Sequence, residues 1–168
     1  MAEEIVNKVA KSALVNFNLE DYYPDGERSL IDISHFLDDG LVLREKLFRE
    51  QVNMKEWSNY KDHYVALSCS TEAIVPTWAY MLISSQLEGV AKKVVFGDVE
   101  MLETILYNEA LKEVDLGKYR DKRVIVNGCS HKPVPDAAYV ALTLLLKPVV
   151  KSLMFGEACS TVPIYKRK

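Results

Sequence analysis

The sequence lacks a long apolar run, and this absence excludes a transmembrane helix. None of its stretches reaches the roughly 18 consecutive apolar residues that crossing a bilayer needs. The longest apolar segment, residues 137–146, is interrupted by Thr143. The N-terminus reads M-A-E-E-I-V, which is acidic and has no apolar signal core. We therefore expect a cytoplasmic protein without a membrane partner.

A strong charge of either sign is also missing. The net charge is -3 and the sequence pI is near 5.7. Nucleic-acid-binding surfaces are usually basic, so we expect no nucleic-acid partner. Hydrophobic residues make up 49% and charged residues 27% of the chain, which is typical of a globular protein.

Several nucleotide- and metal-binding motifs are absent. The sequence contains no G-x-G-x-x-G and no G-x-x-x-x-G-K-[ST], so dinucleotide and nucleoside triphosphate sites of the usual kind have no support. It also contains no C-x-x-C pair, the strongest sequence mark of a structural zinc site. With only three cysteines and no export signal, we interpret the cysteines as free thiols.

The periodicity of apolar residues predicts an α/β fold. After a helix at residues 3–13, an extended segment at 15–23 and a strand at 28–33, the pattern predicts a helix at 43–57. Short apolar runs that fit buried strands then alternate with helical patterns. The predicted strands are residues 64–67, 93–96 and 123–126, and the predicted helices are 76–87, 99–111 and 135–150. This alternation favours a parallel or mixed sheet with helices on its faces, plus an N-terminal α+β segment.

The length of 168 residues predicts one domain. We divide residues 1–168 into the N-terminal α+β segment, residues 1–60, and a β-α-β-α-β-α core with a C-terminal tail, residues 61–168. The apolar helix at 137–146 suits either the core or a dimer interface, so a homodimer stays open.

All three cysteines occur in versions of one local phrase. Cys69 opens C-S-T-E-A-I-V-P, Cys129 opens C-S-H-K-P-V-P, and Cys159 opens C-S-T-V-P. Cys69 and Cys129 each follow a predicted strand and precede a predicted helix. In open α/β sheets such loops gather at the carboxyl edge, where ligands usually bind.

This repetition suggests a metal or iron–sulfur site of unknown biochemical role. Thiolates are ligands for zinc and for iron–sulfur clusters, and His131 is the natural fourth ligand beside Cys69, Cys129 and Cys159. The serines that follow the cysteines are expected to donate hydrogen bonds to the sulfur atoms as cofactor-binding groups. These serines are Ser70, Ser130 and Ser160.

Three other interpretations remain open. A cysteine near a helix N-terminus has a lowered pKa, so the protein is alternatively a thiol or sulfur-transfer enzyme with His131 as general base. The Ser-Thr and Ser-His pairs also suit an anion near a helix start. Finally, free cysteine is often a small buried hydrophobe, which gives a structural or interaction protein. The substrate and catalytic residues are unknown.

Three segments resemble an uncharacterised bacterial family catalogued as a domain of unknown function. They are Y-K-D-H-Y-V-A-L-S-C-S-T-E-A-I-V-P-T-W-A-Y, D-L-G-K-Y-R-D-K-R-V-I-V-N-G-C-S-H-K-P-V-P and F-G-E-A-C-S-T-V-P-I-Y-K-R-K. The resemblance covers nearly the full length and implies a soluble, single-domain bacterial protein. It implies no activity, cofactor or catalytic residue.

Overall fold

A computed structural model describes residues 14–128, 130–157 and 159–168, and it confirms the α/β fold class. The described strands are β1 (Leu14–Asn18), β2 (Arg28–Asp32), β3 (Tyr64–Ser68), β4 (Lys93–Phe96), β5 (Arg123–Asn127), β6 (Ser152–Glu157) and β7 (Ser160–Lys166). The described helices are α1 (Glu45–Met54), α2 (Thr77–Leu87), α3 (Val99–Lys112) and α4 (Asp136–Leu146). The helix predicted at residues 3–13 lies outside the described residues.

The chain divides into two compact units, each with its own sheet. The inserted unit is Asp25–Ile105, and the flanking unit joins Met1–Pro24 to Leu106–Lys168. Both units draw residues from either side of residue 60, and the boundary between them falls within α3. No finding tests the predicted single domain, which stays a prediction.

In the inserted unit, β2, β3 and β4 form a parallel sheet in that order. Val65 and Leu67 lie on one face of β3 and belong to a buried cluster that includes Ile83 and Leu87 of α2. Phe48 of the other helix, α1, belongs to the same buried cluster. Tyr64 and Ala66, which alternate with Val65 and Leu67 along β3, are buried as well, so both faces of the strand are covered, as its continuous apolar sequence predicts.

In the flanking unit, the sheet order is β1-β5-β6-β7. The first three strands are parallel, and β7 pairs with β6 in the antiparallel direction. Its core contains Phe17 of β1, Val124 and Val126 of β5, and Leu142 and Leu146 of α4. The helices of both units are therefore held by apolar side chains of the central strand.

The two units repeat one arrangement. Strand β3 begins at Tyr64 and β5 at Arg123, which is 59 residues later. The same spacing of 59 separates the starts of α2 and α4 and the starts of β4 and β6. The pairing registers agree as well, because Arg28 pairs with Tyr64 and Leu14 pairs with Arg123. The fold is an internal duplication in which one copy is inserted into the sequence of the other.

Three predicted elements end earlier than expected. The extended segment at 15–23 becomes β1 followed by a 3-10 turn, Leu19–Tyr22, because the Asn18 side chain accepts the N–H of Glu20 and starts the turn. The helix predicted at 43–57 is confined to α1. The helix predicted at 135–150 ends at Leu146, before Pro148, since proline cannot continue the hydrogen-bond ladder.

The C-terminal tail of the prediction is a β-hairpin in the structure. Strands β6 and β7 pair from Glu157 and Ser160 outward. Periodicity missed β7 because Pro163 interrupts it, and proline is tolerated here only because β7 is an edge strand. None of the helices in the described ranges is long and apolar enough to cross a membrane.

Candidate functional site

Asp32 fastens the Cys69–Ser70 loop of the inserted unit. It is the last residue of β2, and its Oδ1 accepts the N–H of Ser34 at 2.9 Å and the N–H of Ser70 at 3.0 Å. Its Oδ2 accepts the hydroxyl of Ser70 at 2.5 Å. Three donors therefore converge on one carboxylate at the carboxyl end of this sheet.

These hydrogen bonds control the ionisation of Asp32. Burial by itself raises the pKa of this carboxyl, but the hydrogen bonds from Ser70 and Ser34 outweigh burial and lower the pKa from 3.8 to about 2. Asp32 is thus ionised at neutral pH. The Asp32 carboxylate accepts the hydrogen bonds of Ser70 that the anion hypothesis assigned to a bound anion.

The Cys69 thiol is half-buried beside this carboxylate. Its Sγ lies 3.5 Å from the Thr71 Oγ1 and 3.7 Å from the Thr71 carbonyl oxygen. Because the Thr71 hydroxyl donates its proton to the Gly40 carbonyl at 2.6 Å, it can only accept from Cys69. Helix α2 begins only at Thr77, so the thiol does not sit at a helix N-terminus. The thiol-enzyme hypothesis loses that support.

The flanking unit fastens its Cys-Ser loop with a different carboxylate. Glu20 accepts the backbone N–H groups of Ser130 and His131, the latter at 2.8 Å. The His131 N–H is the largest cause of the lowered pKa of Glu20, and the Ser130 and Lys132 N–H groups act in the same direction. By register, Glu20 corresponds to Ser34, and the neutral Asn18 corresponds to Asp32. Each unit therefore holds its Cys-Ser loop with one carboxylate. The carboxylate of the flanking unit, Glu20, lies two residues after the position that corresponds to Asp32.

The Cys-Ser pair begins one residue later in the loop of the flanking unit, although the two loops have the same length. Cys69 follows β3 directly, whereas Gly128 stands between β5 and Cys129. Gly128 has φ +126°, and a Cβ there would lie 2.7 Å from the Leu19 nitrogen and 2.8 Å from the Asn18 Oδ1. Only glycine fits this approach of two backbones. At the spacing of 59 residues, Gly128 corresponds to Cys69 and Cys129 corresponds to Ser70, so the two Cys-Ser pairs are offset by one residue in the repeat.

The structure describes three of the four predicted metal ligands. Cys69 belongs to the inserted unit, whereas exposed Cys159 lies in the β6–β7 hairpin connection. His131 is exposed in the flanking unit, and Cys129 lies outside the described residues. In the described part of the chain, no group of three or more His, Cys, Asp or Glu side chains is placed to hold a metal ion. The convergence of the three sulfur atoms stays a prediction.

The predicted cofactor-binding serines make other contacts. The Ser70 hydroxyl is 2.5 Å from the Asp32 Oδ2 and 3.4 Å from the Ser34 Oγ. Ser130 donates its N–H to Glu20, and Ser160 is the first residue of β7. The proton of Ser70 is therefore directed to a carboxylate, and hydrogen bonding of all three serines to the sulfur atoms stays a prediction.

The metal hypothesis has a direct test. It predicts near-stoichiometric zinc or iron in full-length protein purified without added metal, measured by inductively coupled plasma mass spectrometry. Cys129→Ser should lower the metal content sharply, because thiolate ligands dominate the affinity of such a site. Glu72→Gln, an exposed change in the loop after β3, serves as the control. Protein that is folded and metal-free when purified both aerobically and anaerobically would contradict the hypothesis.

The sequence analysis did not predict a contact between a tyrosine and a phenylalanine that occurs in both units. Tyr80 of α2 contacts Phe96 of β4 edge to face, with ring centroids 5.1 Å apart and planes at 83°. Tyr139 of α4 contacts Phe155 of β6 in the same way, at 5.7 Å and 80°. Tyr139 packs against the core of the flanking unit and is partly buried. The spacing of 59 residues between the two Tyr and the two Phe positions was the available signal.

The aromatic pairs are anchored next to the Cys-Ser loops. The Tyr139 hydroxyl donates to the Gly128 carbonyl at 2.9 Å. Burial raises the pKa of the Tyr80 hydroxyl, and the nearby Cys69 and Asp32 raise it further, so Tyr80 stays neutral. Each unit therefore places a polar loop and an apolar aromatic surface side by side.

A groove lies beside the aromatic pair of the flanking unit. Its volume is about 440 Å³, and it runs between α4 and strands β6 and β7. Its lining residues are mostly apolar and include Tyr139, Val140, Phe155 and Ile164.

A comparison with family models identifies the chain. The model described as "Protein of unknown function (DUF2480)" matches residues 3–167. The chain belongs to this family. The comparisons with curated proteins and with solved structures found no match. Membership in the DUF2480 family confirms the resemblance to an uncharacterised family, and the family description names no activity.

Proposed function

We propose that this protein is a binding protein whose two units each present an apolar site for aliphatic and aromatic side chains of a partner protein. One observation carries the proposal: the same set of exposed or partly buried apolar side chains occurs at equivalent positions of both units. The set is Tyr80, Met81 and Phe96 in the inserted unit, and Tyr139, Val140 and Phe155 in the flanking unit.

The exposure of these side chains supports a binding role. Phe96 is 69% exposed and Met81 is 66% exposed, while Val140 is 62% exposed. Single exposed apolar residues are normal, but clustered ones typically mark interaction sites. A cluster that recurs in two copies of one fold is a stronger sign, because packing within each unit does not require it.

A protein partner fits these sites better than a small molecule. Small ligands usually bury most of their surface in a concave pocket. Met81 and Phe96 instead project from the surface of the inserted unit, where the side chains of a partner can pack on both sides of them. The groove of the flanking unit suits the same chemistry, because Ile164 and Val140 add aliphatic walls to the aromatic pair.

The polar residues beside the sites favour recognition over catalysis. Asp32 and Glu20 accept hydrogen bonds from N–H groups of the chain itself. In the described part of the chain, both polar contacts of Cys69 are made to Thr71. These groups fix the loops that border the aromatic pairs. The proposal therefore assigns them a positioning role.

The proposal predicts that an uncharged apolar dye reports on both sites. Nile red should gain fluorescence with the folded protein, and Met81→Gln and Val140→Gln should each remove roughly half of the gain, because two independent sites contribute additively. The double variant should lose nearly all of it. The measurement is a fluorescence titration at neutral pH.

Met54→Gln is the matched control, because Met54 is 84% exposed and lies outside both sites. It should leave the titration unchanged. Near-ultraviolet circular dichroism checks that each variant is folded. A double variant that is folded and still binds the dye like the parent protein would overturn the proposed function.

A further inference from the structure

Resting on the proposed function, we infer that the outer edge of β4 receives an extended segment of the partner as an added antiparallel strand. The duplicated unit displays the geometry of such a complex. In the flanking unit, β7 pairs with the outer edge of β6. In the described part of the inserted unit, β4 is the last strand of the sheet, and it is the counterpart of β6.

The register of β7 defines the expected contacts. Val162 pairs with Phe155 and Pro163 pairs with Met154, and Ile164 lines the groove beside Tyr139. Shifted by the spacing of 59 residues, a partner strand places its first aliphatic side chain opposite Phe96. Its second aliphatic side chain then lies near Tyr80 and Met81.

The exposure of the two phenylalanines fits this inference. Phe155, which has β7 opposite it, is 42% exposed, whereas its counterpart Phe96 is 69% exposed. An added strand on β4 would bring Phe96 toward the exposure of Phe155. The burial of that apolar surface is a favourable contribution to binding.

The length of β4 limits the main-chain contribution. The strand has four residues, K-V-V-F, so it offers few ladder hydrogen bonds. In strand addition the main chain supplies affinity, and pockets for alternate side chains supply specificity. The aromatic pair must therefore select the segment, which should carry two β-branched aliphatic residues with one residue between them, as in the V-P-I of β7.

The test uses the β7 sequence itself as the probe. The synthetic peptide S-T-V-P-I-Y-K-R-K is titrated into the ¹⁵N-labelled full-length protein and followed by NMR. We expect shift changes and slower amide exchange at Val94–Phe96 and near Met81. The peptide S-T-S-P-S-Y-K-R-K has the same charge but lacks both aliphatic side chains, and it should bind roughly tenfold more weakly or worse. Phe96→Ser should weaken binding to a similar degree.

N-methylated peptides separate strand addition from mere apolar contact. One peptide carries the methyl group on the nitrogen of Val162 and another on that of Thr161. Successive N–H groups of a strand point to opposite sides, so only one of the two peptides should lose binding. If both bind like the parent peptide, strand addition is wrong, although the proposed function stands.

Three further outcomes would overturn the inference. Shift changes at β6 in place of β4 would mean that the peptide exchanges with β7. A homodimer whose β4 amides are already protected, measured by light scattering and hydrogen exchange, would make a second copy the occupant. Absence of peptide binding would also reject strand addition, and the Nile red titration decides the proposed function independently.

Discussion

Replacing Glu103 with glutamine should lower the free energy of unfolding by about 3 kcal/mol, because it removes the negative charge that Glu103 places against a buried arginine. The Arg28 Nε lies 2.6 Å from the Glu103 Oε1, and Nη2 lies 3.2 Å from Oε2. The side chains are only 11% and 9% exposed. Glutamine keeps the shape of the side chain, so the loss reports on charge.

Arg28 ties together several parts of the inserted unit. It lies in β2, whereas Glu103 lies in α3. The guanidinium also donates to the Gly26 carbonyl at 2.6 Å and stacks over the Tyr64 ring at 5.1 Å. These remaining contacts set the expected loss at the lower end of the range for a broken buried pair.

Chemical denaturation followed by circular dichroism measures this effect. Glu45→Gln is the control, because Glu45 forms an exposed i,i+4 pair with Arg49 at 2.9 Å. Exposed pairs contribute little, so the control should change stability by less than about 0.5 kcal/mol. Equal effects of the two substitutions would contradict the special role of the Arg28–Glu103 pair.

Replacing Asp32 with asparagine should lower the free energy of unfolding at pH 7 by about 1–2 kcal/mol. The folded-state pKa of about 2, against 3.8 for the unfolded chain, corresponds to roughly 2 kcal/mol, reduced here because Asp32 is partly exposed. Asparagine loses the charge that the Ser70 and Ser34 donors stabilise. The Cys69–Ser70 loop should loosen as a result.

The effect should depend on pH with a defined sign. A carboxyl whose pKa is lowered by folding stabilises the protein fully above its unfolded pKa of 3.8, and this stabilisation is lost as the pH falls through about 2. The parent protein and Asp32→Asn should therefore differ at pH 7 and converge near pH 2. Urea denaturation at several pH values measures the difference.

Glu72→Gln is the matched control for Asp32→Asn, since Glu72 is exposed in the same loop. It should leave both the stability and its dependence on pH unchanged. A constant difference between Asp32→Asn and the parent protein from pH 7 to pH 2 would show that geometry, and not charge, explains the loss.

The sequence predicted the central elements well because their signals are local. The strands predicted at 64–67, 93–96 and 123–126 agree with β3, β4 and β5 to within one residue. Continuous apolar runs are enough to mark strands buried on both faces. Pro76 and Pro135 likewise lie immediately before α2 and α4, because proline is compatible with a helix start but not with its interior.

The Cys-Ser phrases illustrate where local reasoning stopped. The sequence correctly placed Cys69 in a loop between a strand and a helix. We expected the loops of Cys69 and Cys129 to gather at the carboxyl edge of one shared sheet. In the structure, β3 and β5 belong to different sheets. The phrase recurs in the equivalent loops of the two units, but it is shifted by one residue against the spacing of 59. The carboxylates that fasten the loops, Asp32 and Glu20, carry no sequence motif that relates them.

The sequence by itself determined the α/β class, the buried strands and the starts of the helices to within two residues, because periodicity, proline and capping residues act over a few neighbours. Only the tertiary structure decided which strands share a sheet. Strand β1 pairs with β5, and Leu14 lies opposite Arg123. In the sequence, the whole inserted unit separates these two strands. Such pairing depends on the total apolar surface that the distant segments bury together. The periodicity of neighbouring residues does not reveal which distant segments pair.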